Sequence, residues 1–125
     1  MKKPVLTADA PAPIGPYSQA VQVGPLLFCS GQIAIDPKTN EVLKGDVKAQ
    51  AEMVMKNIEA VLKAGDCNFS NVVKTTIFLT DMKDFTAVNE VYGKYFQTQP
   101  PARSTIAVAG LPKGVQVEIE VVAHR

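Results

Sequence analysis

The stretch from Asp46 to Gly65 limits the possible folds more than any other part of this chain. Val47, Ala51, Val54, Met55, Ile58, Val61 and Leu62 recur at spacings of three and four, so a helix over these residues carries one continuous apolar stripe. Lys48, Glu52, Lys56, Glu59 and Lys63 cover the outer side as a solvated face. Asp46 is placed to open the helix and Gly65 to stop it. A helix that is apolar on one side must bury that side, and the flanking segments supply strands to bury it on. AVQV (20–23) and LLFCS (26–30) read as two strands joined by the turn Gly24-Pro25, and Gln32–Ile35 as a further short strand. DPKTNE (36–41) is turn chemistry. VVKTTIFLT (72–80) is rich in β-branched residues and reads as a strand. Asp81 can cap a second helix over about Asp84 to Phe96, with Phe85, Val88, Tyr92, Tyr95 and Phe96 on its apolar stripe. Asn89 falls inside that stripe, where an amide needs partners, either in a neighbouring loop or in a pocket. Pro100-Pro101 ends this unit, and two strands close the chain, Ala102–Val108 and Val115–Ala123. The expected fold class is α+β, a mixed β-sheet with two helices packed on one face. No element remains for the other face of the sheet, which is also apolar, so another copy of the chain is expected to cover it.

Length and composition narrow the function. A chain of 125 residues, 46% hydrophobic and 20% charged, is expected to form a single domain over 1–125 with a full core. Thirteen Lys and Arg against twelve Asp and Glu leave a net charge of +1, with no basic block, which argues against nucleic acid or an anionic membrane as partner. No apolar run approaches the roughly 18 residues of a membrane span. The start MKKPVLTADAPAPIGPYSQ has no apolar h-region, so no secretory signal is read, and Pro4, Pro11, Pro13 and Pro16 make the first sixteen residues extended. Two cysteines, Cys29 and Cys67, form no disulfide framework and fit a reduced, cytoplasmic compartment. With one histidine, His124 next to the C-terminus, no metal-ligand cluster is expected and a His-activated nucleophile is disfavoured. There is no phosphate-cradling GxxxxGK and no GxGxxG. The remaining chemistry is light: bind an anion, position a water, move a proton.

PPARSTIAVAGLPKGVQVEIE (100–120) is the segment that could do this. If 109–114 folds as a hairpin centred on Leu111-Pro112, Arg103 faces Glu120, Thr105 faces Glu118, and Arg103 and Glu118 become diagonal neighbours on one side. A slip of one residue would put them on opposite faces. Arg103, Thr105, Ala107 and Ala109 share a side that is small apart from the arginine, which leaves room for a ligand. A guanidinium fork matches a carboxylate at two points, and a nearby protein carboxylate can hold water or accept a proton. A plain cross-strand salt bridge is the competing reading.

The same segment resembles the C-terminal signature of the RidA (YjgF) family: Pro-Ala-Arg, a short strand, Leu-Pro, then Val-Glu-Ile-Glu. APAPIGPYSQAV (10–21), SGQIAIDPKTNEV (30–42) and VVKTTIFLTDMKDFTAVNEVYGKYF (72–96) are similar to the family's other motifs, in the same order. The resemblance implies a chorismate-mutase-like fold and a homotrimer whose sheets form a central barrel with clefts between subunits. It implies a 2-iminobutanoate/2-iminopropanoate deaminase, which hydrolyses reactive enamine/imine intermediates released by pyridoxal-phosphate-dependent dehydratases to 2-oxo acids and ammonia, with no cofactor of its own. On that pattern Arg103 binds the substrate carboxylate and Glu118 orients or activates water. Tyr17, Ser30, Gly31, Asn89 and Thr105 are the corresponding substrate-binding positions. Many relatives carry cysteine at the place of Thr105 and arginine at that of Gly110, so a thiol role at 105 is excluded here. A non-catalytic 2-oxo-acid-binding regulator and a ribonuclease or translation inhibitor are the alternatives.

Overall fold

The computed structural model describes all residues, Met1–Arg125. In chain order the strands are β1 (Lys2–Val5), β2 (Ala20–Val23), β3 (Leu26–Gln32), β4 (Ile35–Asp36), β5 (Glu41–Val42), β6 (Val72–Leu79), β7 (Ala102–Ala107) and β8 (Val117–His124). The helices are α1 (Val47–Ala64), after β5, and α2 (Phe85–Gly93), between β6 and β7. Six strands form one sheet in the order β1-β2-β3-β8-β6-β7, and β4 and β5 form a separate ribbon. Every pairing in the large sheet is antiparallel except β6 with β7, so the sheet is mixed, as expected.

The helices sit on one face because their stripes and the sheet alternate in step. Asp46 accepts from the Ala49 backbone N–H and caps α1, and the Gly65 N–H closes on the Val61 carbonyl. Val54, Met55, Ile58, Val61 and Leu62 are buried against Leu27, Val117, Ile119, Val121 and Ala123 of the sheet within one core. Each such side chain stabilises the fold by about 1.5–3 kcal/mol relative to exposure. Gly65 is required by space: an added Cβ would stand 2.5 Å from Leu27 Cδ2, and the left-handed turn falls on the next residue, Asp66, at φ 60°. The second helix is shorter than the apolar stripe suggested. Asp81 accepts from Lys83 N–H in a 3₁₀ turn, Met82–Asp84, and α2 begins at Phe85. Beyond Gly93 the backbone tightens to i→i+3 bonds, yet Tyr95 and Phe96 still pack on Phe69, with ring centroids 5.0 and 5.4 Å apart.

Three strand readings change. Gln32–Ile35 is not one strand: Gln32 ends β3, and Ile35 opens the β4–β5 ribbon. Lys2–Val5 is a strand rather than loose extended chain, and its Pro4 is tolerated because β1 is the sheet edge. More consequentially, β7 and β8 do not form a hairpin. β7 lies parallel to β6, reached through α2, as a parallel pairing demands a crossover. The 108–116 connection then passes the end of β6, where Val108 N–H donates to the Leu79 carbonyl and Thr80 N–H to that of Gln116, and β8 enters between β3 and β6. The reason is burial: β8 carries four fully buried residues and gains ladders on both sides, whereas β7 is half exposed and suits an edge.

The face away from the helices is open, with Phe28 and Ile106 each 45% exposed on it. No helix is long and apolar enough to cross a membrane.

Candidate functional site

The failed hairpin moves the charges. Arg103 pairs across the ladder with Thr75 of β6, which is fully buried on the helix side, so Arg103 and Thr105 point toward the helices. Glu118 and Glu120 alternate with buried Val117, Ile119 and Val121, so they point to the open face. Arg103 therefore does not face Glu120, nor Thr105 Glu118. Within one chain β6 separates the two strands, and the guanidinium and the glutamates lie on opposite sides of the sheet.

On the helix side Arg103 is held by α2. Its Nη1 donates to Asn89 Oδ1 at 2.7 Å, and its Cζ stands 5.5 Å from the Phe85 ring centroid and 5.0 Å from that of Tyr92. The half-buried amide in the stripe has thus found its partner, an arginine of the next strand rather than a loop. Arg103 takes no part in the chain's ion pairs, which join Lys48 to Glu90, Lys83 to Asp81, Lys94 to Glu52 and Arg125 to Asp66. A half-buried guanidinium with an amide and two rings as its only partners keeps its full charge for an external anion. One rung along, Thr105 Oγ1 is buried without a hydrogen-bond partner.

On the open side a cleft of about 440 Å³ lies between the proline-rich N-terminal loop and the sheet. Tyr17, Ser30, Gly31, Glu118 and Glu120 line it together with Pro11, Ile14 and Gln19, and no lysine or arginine does. Here β3 carries a bulge against β8, between Cys29 and Gln32, at Ser30 and Gly31. The bulge and the missing side chain let the Glu118 carboxylate rest on the backbone: a Cβ on Gly31 would stand 2.1 Å from Glu118 Oε2. Burial, and after it the charge of Glu120, pushes the Glu118 carboxyl above its ordinary range. Ser30 Oγ donates to the Ser18 carbonyl at 2.6 Å and so fixes the bulge to the loop. Tyr17 Oη accepts from the Ile14 N–H at 3.2 Å, which leaves the phenol proton free to be donated into the cleft.

Gln19 was not singled out from the sequence. It is 1% exposed, and its amide accepts from Thr7 N–H and donates toward the carbonyls of Thr7, Ala10 and Pro11. This one side chain shapes the loop that walls the cleft. A buried glutamine serving scattered backbone groups has no periodicity to betray it. Its only signal is a polar residue at the entry to an apolar strand.

Comparison with known proteins agrees with this architecture. The family model described as Endoribonuclease L-PSP matches residues 7–125. The chain is 56% identical over 124 residues to Protein DfrA of Myxococcus xanthus, covering 98% of this chain and 95% of that protein. It is 50% identical over 123 residues to the 2-iminobutanoate/2-iminopropanoate deaminase of Mus musculus, covering 98% and 91%. Among solved structures, the Rid-family protein YyfA of Yersinia pestis superposes with a TM-score of 0.98 at 45% identity, covering 100% of both chains. The fold is the small α+β fold of that Rid-family structure. The chain belongs to the RidA (YjgF) family.

Proposed function

We propose that this protein is a cytoplasmic enamine/imine deaminase that hydrolyses small 2-imino acids to 2-oxo acids and ammonia, and that it works as a homotrimer. The observation that carries the reading is the division of charge. Arg103 has no counter-ion on one face of the sheet, and two carboxylates share a cation-free cleft on the other. A 2-imino acid is anionic at its carboxylate and cationic at its protonated nitrogen, so it needs both. One chain cannot bring them together, whereas Arg103, on the edge strand β7 of one copy, can meet Glu118 on the open face of another.

In the proposed mechanism Arg103 clamps the carboxylate by its fork, and the free Thr105 hydroxyl donates to it as well. Asn89 holds the guanidinium. Clamping fixes the iminium carbon, so a water held in the cleft attacks from high effective concentration. Glu118 takes a proton from that water as the C–O bond forms. It returns that proton to nitrogen, and as the C–N bond breaks the carbinol O–H proton passes to Glu118, so that the 2-oxo acid and ammonia form. Glu118 then releases this last proton to ammonia or solvent. Its raised pKa suits both steps, because it brings the group closer to neutral pH. Tyr17 donates its phenol proton within the cleft, while Ser30 and Gly31 present backbone groups. No step calls for a cofactor. The deaminase name of the mouse relative supports this reading. The nuclease description of the family model fits less well, since a cleft lined by two carboxylates repels a polyanion.

The test is a serine or threonine dehydratase reaction run with and without the protein, following 2-oxo acid release. Faster release is expected. No acceleration with a folded protein would refute the activity. Light scattering that finds a stable monomer at micromolar concentration would refute the shared site.

A further inference from the structure

One pair of groups on the arginine side is left unused by this mechanism: the Tyr92 hydroxyl and Thr75. Phe85, Asn89 and Tyr92 are spaced by four and three on one stripe of α2, which is why all three reach the same guanidinium. Asn89 occupies one of the five N–H groups of Arg103, and the others have no partner within the chain. Ring faces fix how far away a cation stands but leave its rotation loose, so the direction of the fork depends on how firmly the rings are held.

Tyr92 is held at its far end. Its Oη lies 2.7 Å from Thr75 Oγ1 in the buried core, and Thr75 is 0% exposed. Thr75 is also the residue opposite Arg103 in the β6–β7 ladder. The contacts therefore close on themselves: the backbone of Arg103 runs beside that of Thr75, the Thr75 hydroxyl binds Tyr92, and the Tyr92 ring lies against the Arg103 guanidinium. Burial pushes the Tyr92 phenol above its ordinary range, so it stays neutral and supports the cation without cancelling its charge. A carboxylate in its place would hold the guanidinium as firmly but would compete with substrate.

We propose that Tyr92, anchored by Thr75, is a positioning residue that turns the unpaired N–H groups of Arg103 toward the substrate carboxylate. This rests on the reading that Arg103 binds that carboxylate.

The test uses the full-length variants Tyr92→Phe, Thr75→Val, the double variant and Tyr92→Leu. KM and kcat are measured in the dehydratase-coupled assay, Kd is measured for 2-oxobutanoate, and the Arg103 Nε–Hε signal is followed by ¹⁵N NMR. Loss of one buried hydrogen bond predicts that Tyr92→Phe and Thr75→Val each raise KM and Kd about fivefold. Uniform binding is what is lost, so kcat should stay within about twofold. The double variant should be no worse than either single, because both remove the same bond. Tyr92→Leu also removes the ring and should cost about 30-fold in Kd. Wild-type KM and an unmoved Arg103 signal in both hydroxyl variants would overturn the proposal, as would additive effects in the double variant. If Arg103→Lys leaves 2-oxo acid binding intact, it is the carboxylate reading that fails. The Arg103 signal in Tyr92→Phe still decides whether the ring positions the guanidinium.

Discussion

The two sides of the sheet solve opposite problems with different materials. On the helix side a single cation is held by packed, regular structure: an edge strand, a helix stripe, two rings and an amide. On the open side two carboxylates sit beside a bulge and a loop, and the loop keeps its shape through one buried glutamine. The arginine lacks an acid and the acids lack a base. An ion pair inside the chain would have satisfied both and left neither free for substrate. Keeping them on opposite faces leaves each charge available. On the proposed function, each is incomplete until a second copy brings its own.

The largest effect should come from Glu118→Gln. If Glu118 is the base, kcat falls by about 10²–10⁴-fold while 2-oxo acid binding changes little. The same substitution should stabilise the fold. The folded-state pKa of Glu118 lies above its ordinary value, so its contribution to stability is complete below the unfolded pKa and is lost as pH rises through the folded one. Thermal melts should therefore show Glu118→Gln above wild type at neutral pH and level with it in acid. A variant that is less stable at neutral pH would contradict the burial cost assigned to this side.

Arg103→Lys probes the other side. It keeps the charge and loses the fork, so kcat/KM should fall about 10²–10³-fold in a folded protein, on the scale of losing a preorganised donor. A rate near wild type would mean that point charge suffices and that the cradle on α2 has no function in binding. Gly31→Ala is smaller. The new Cβ displaces the Glu118 carboxylate, and misplacement short of removal should cost about tenfold in turnover. Unchanged turnover would show that the resting position of the carboxylate on Gly31 is not its working one.

The smallest effect separates the two glutamates. Glu120→Gln should leave kcat at neutral pH within about twofold, the scatter of a substitution outside the chemistry. It removes the second of the two causes that raise the Glu118 pKa, so the acid limb of kcat/KM should move to lower pH. Burial, the larger cause, remains and limits the shift. A loss at Glu120 equal to that at Glu118 would show that the working carboxylate had been misassigned.

Much of this was legible from local pattern. The stripe from Val47 to Leu62, the Asp46 cap and the one-sided packing follow from spacing alone. The alternation Val117, Ile119, Val121 and Ala123 fixes Glu118 and Glu120 on a common face, whichever strands lie alongside. The β1 strand was disguised by Pro4, which only an edge position excuses. Gln19 was illegible because its partners are backbone groups eight to twelve residues away, brought together by the loop it holds.

By itself the sequence determined most of the elements, their buried sides and the small set of groups with usable chemistry, because period and capping act within a few residues. Only the tertiary structure decided which strand lies beside which. Nothing within 100–120 distinguishes a hairpin from two strands parted by a third, since both satisfy the same turn and the same alternation. The choice is made by β8, whose buried residues bring it between β3 and β6, and by α2, which delivers β7 parallel to β6. Together they set Arg103 and Glu118 back to back, a consequence of long-range burial and crossover geometry that no local pattern encodes.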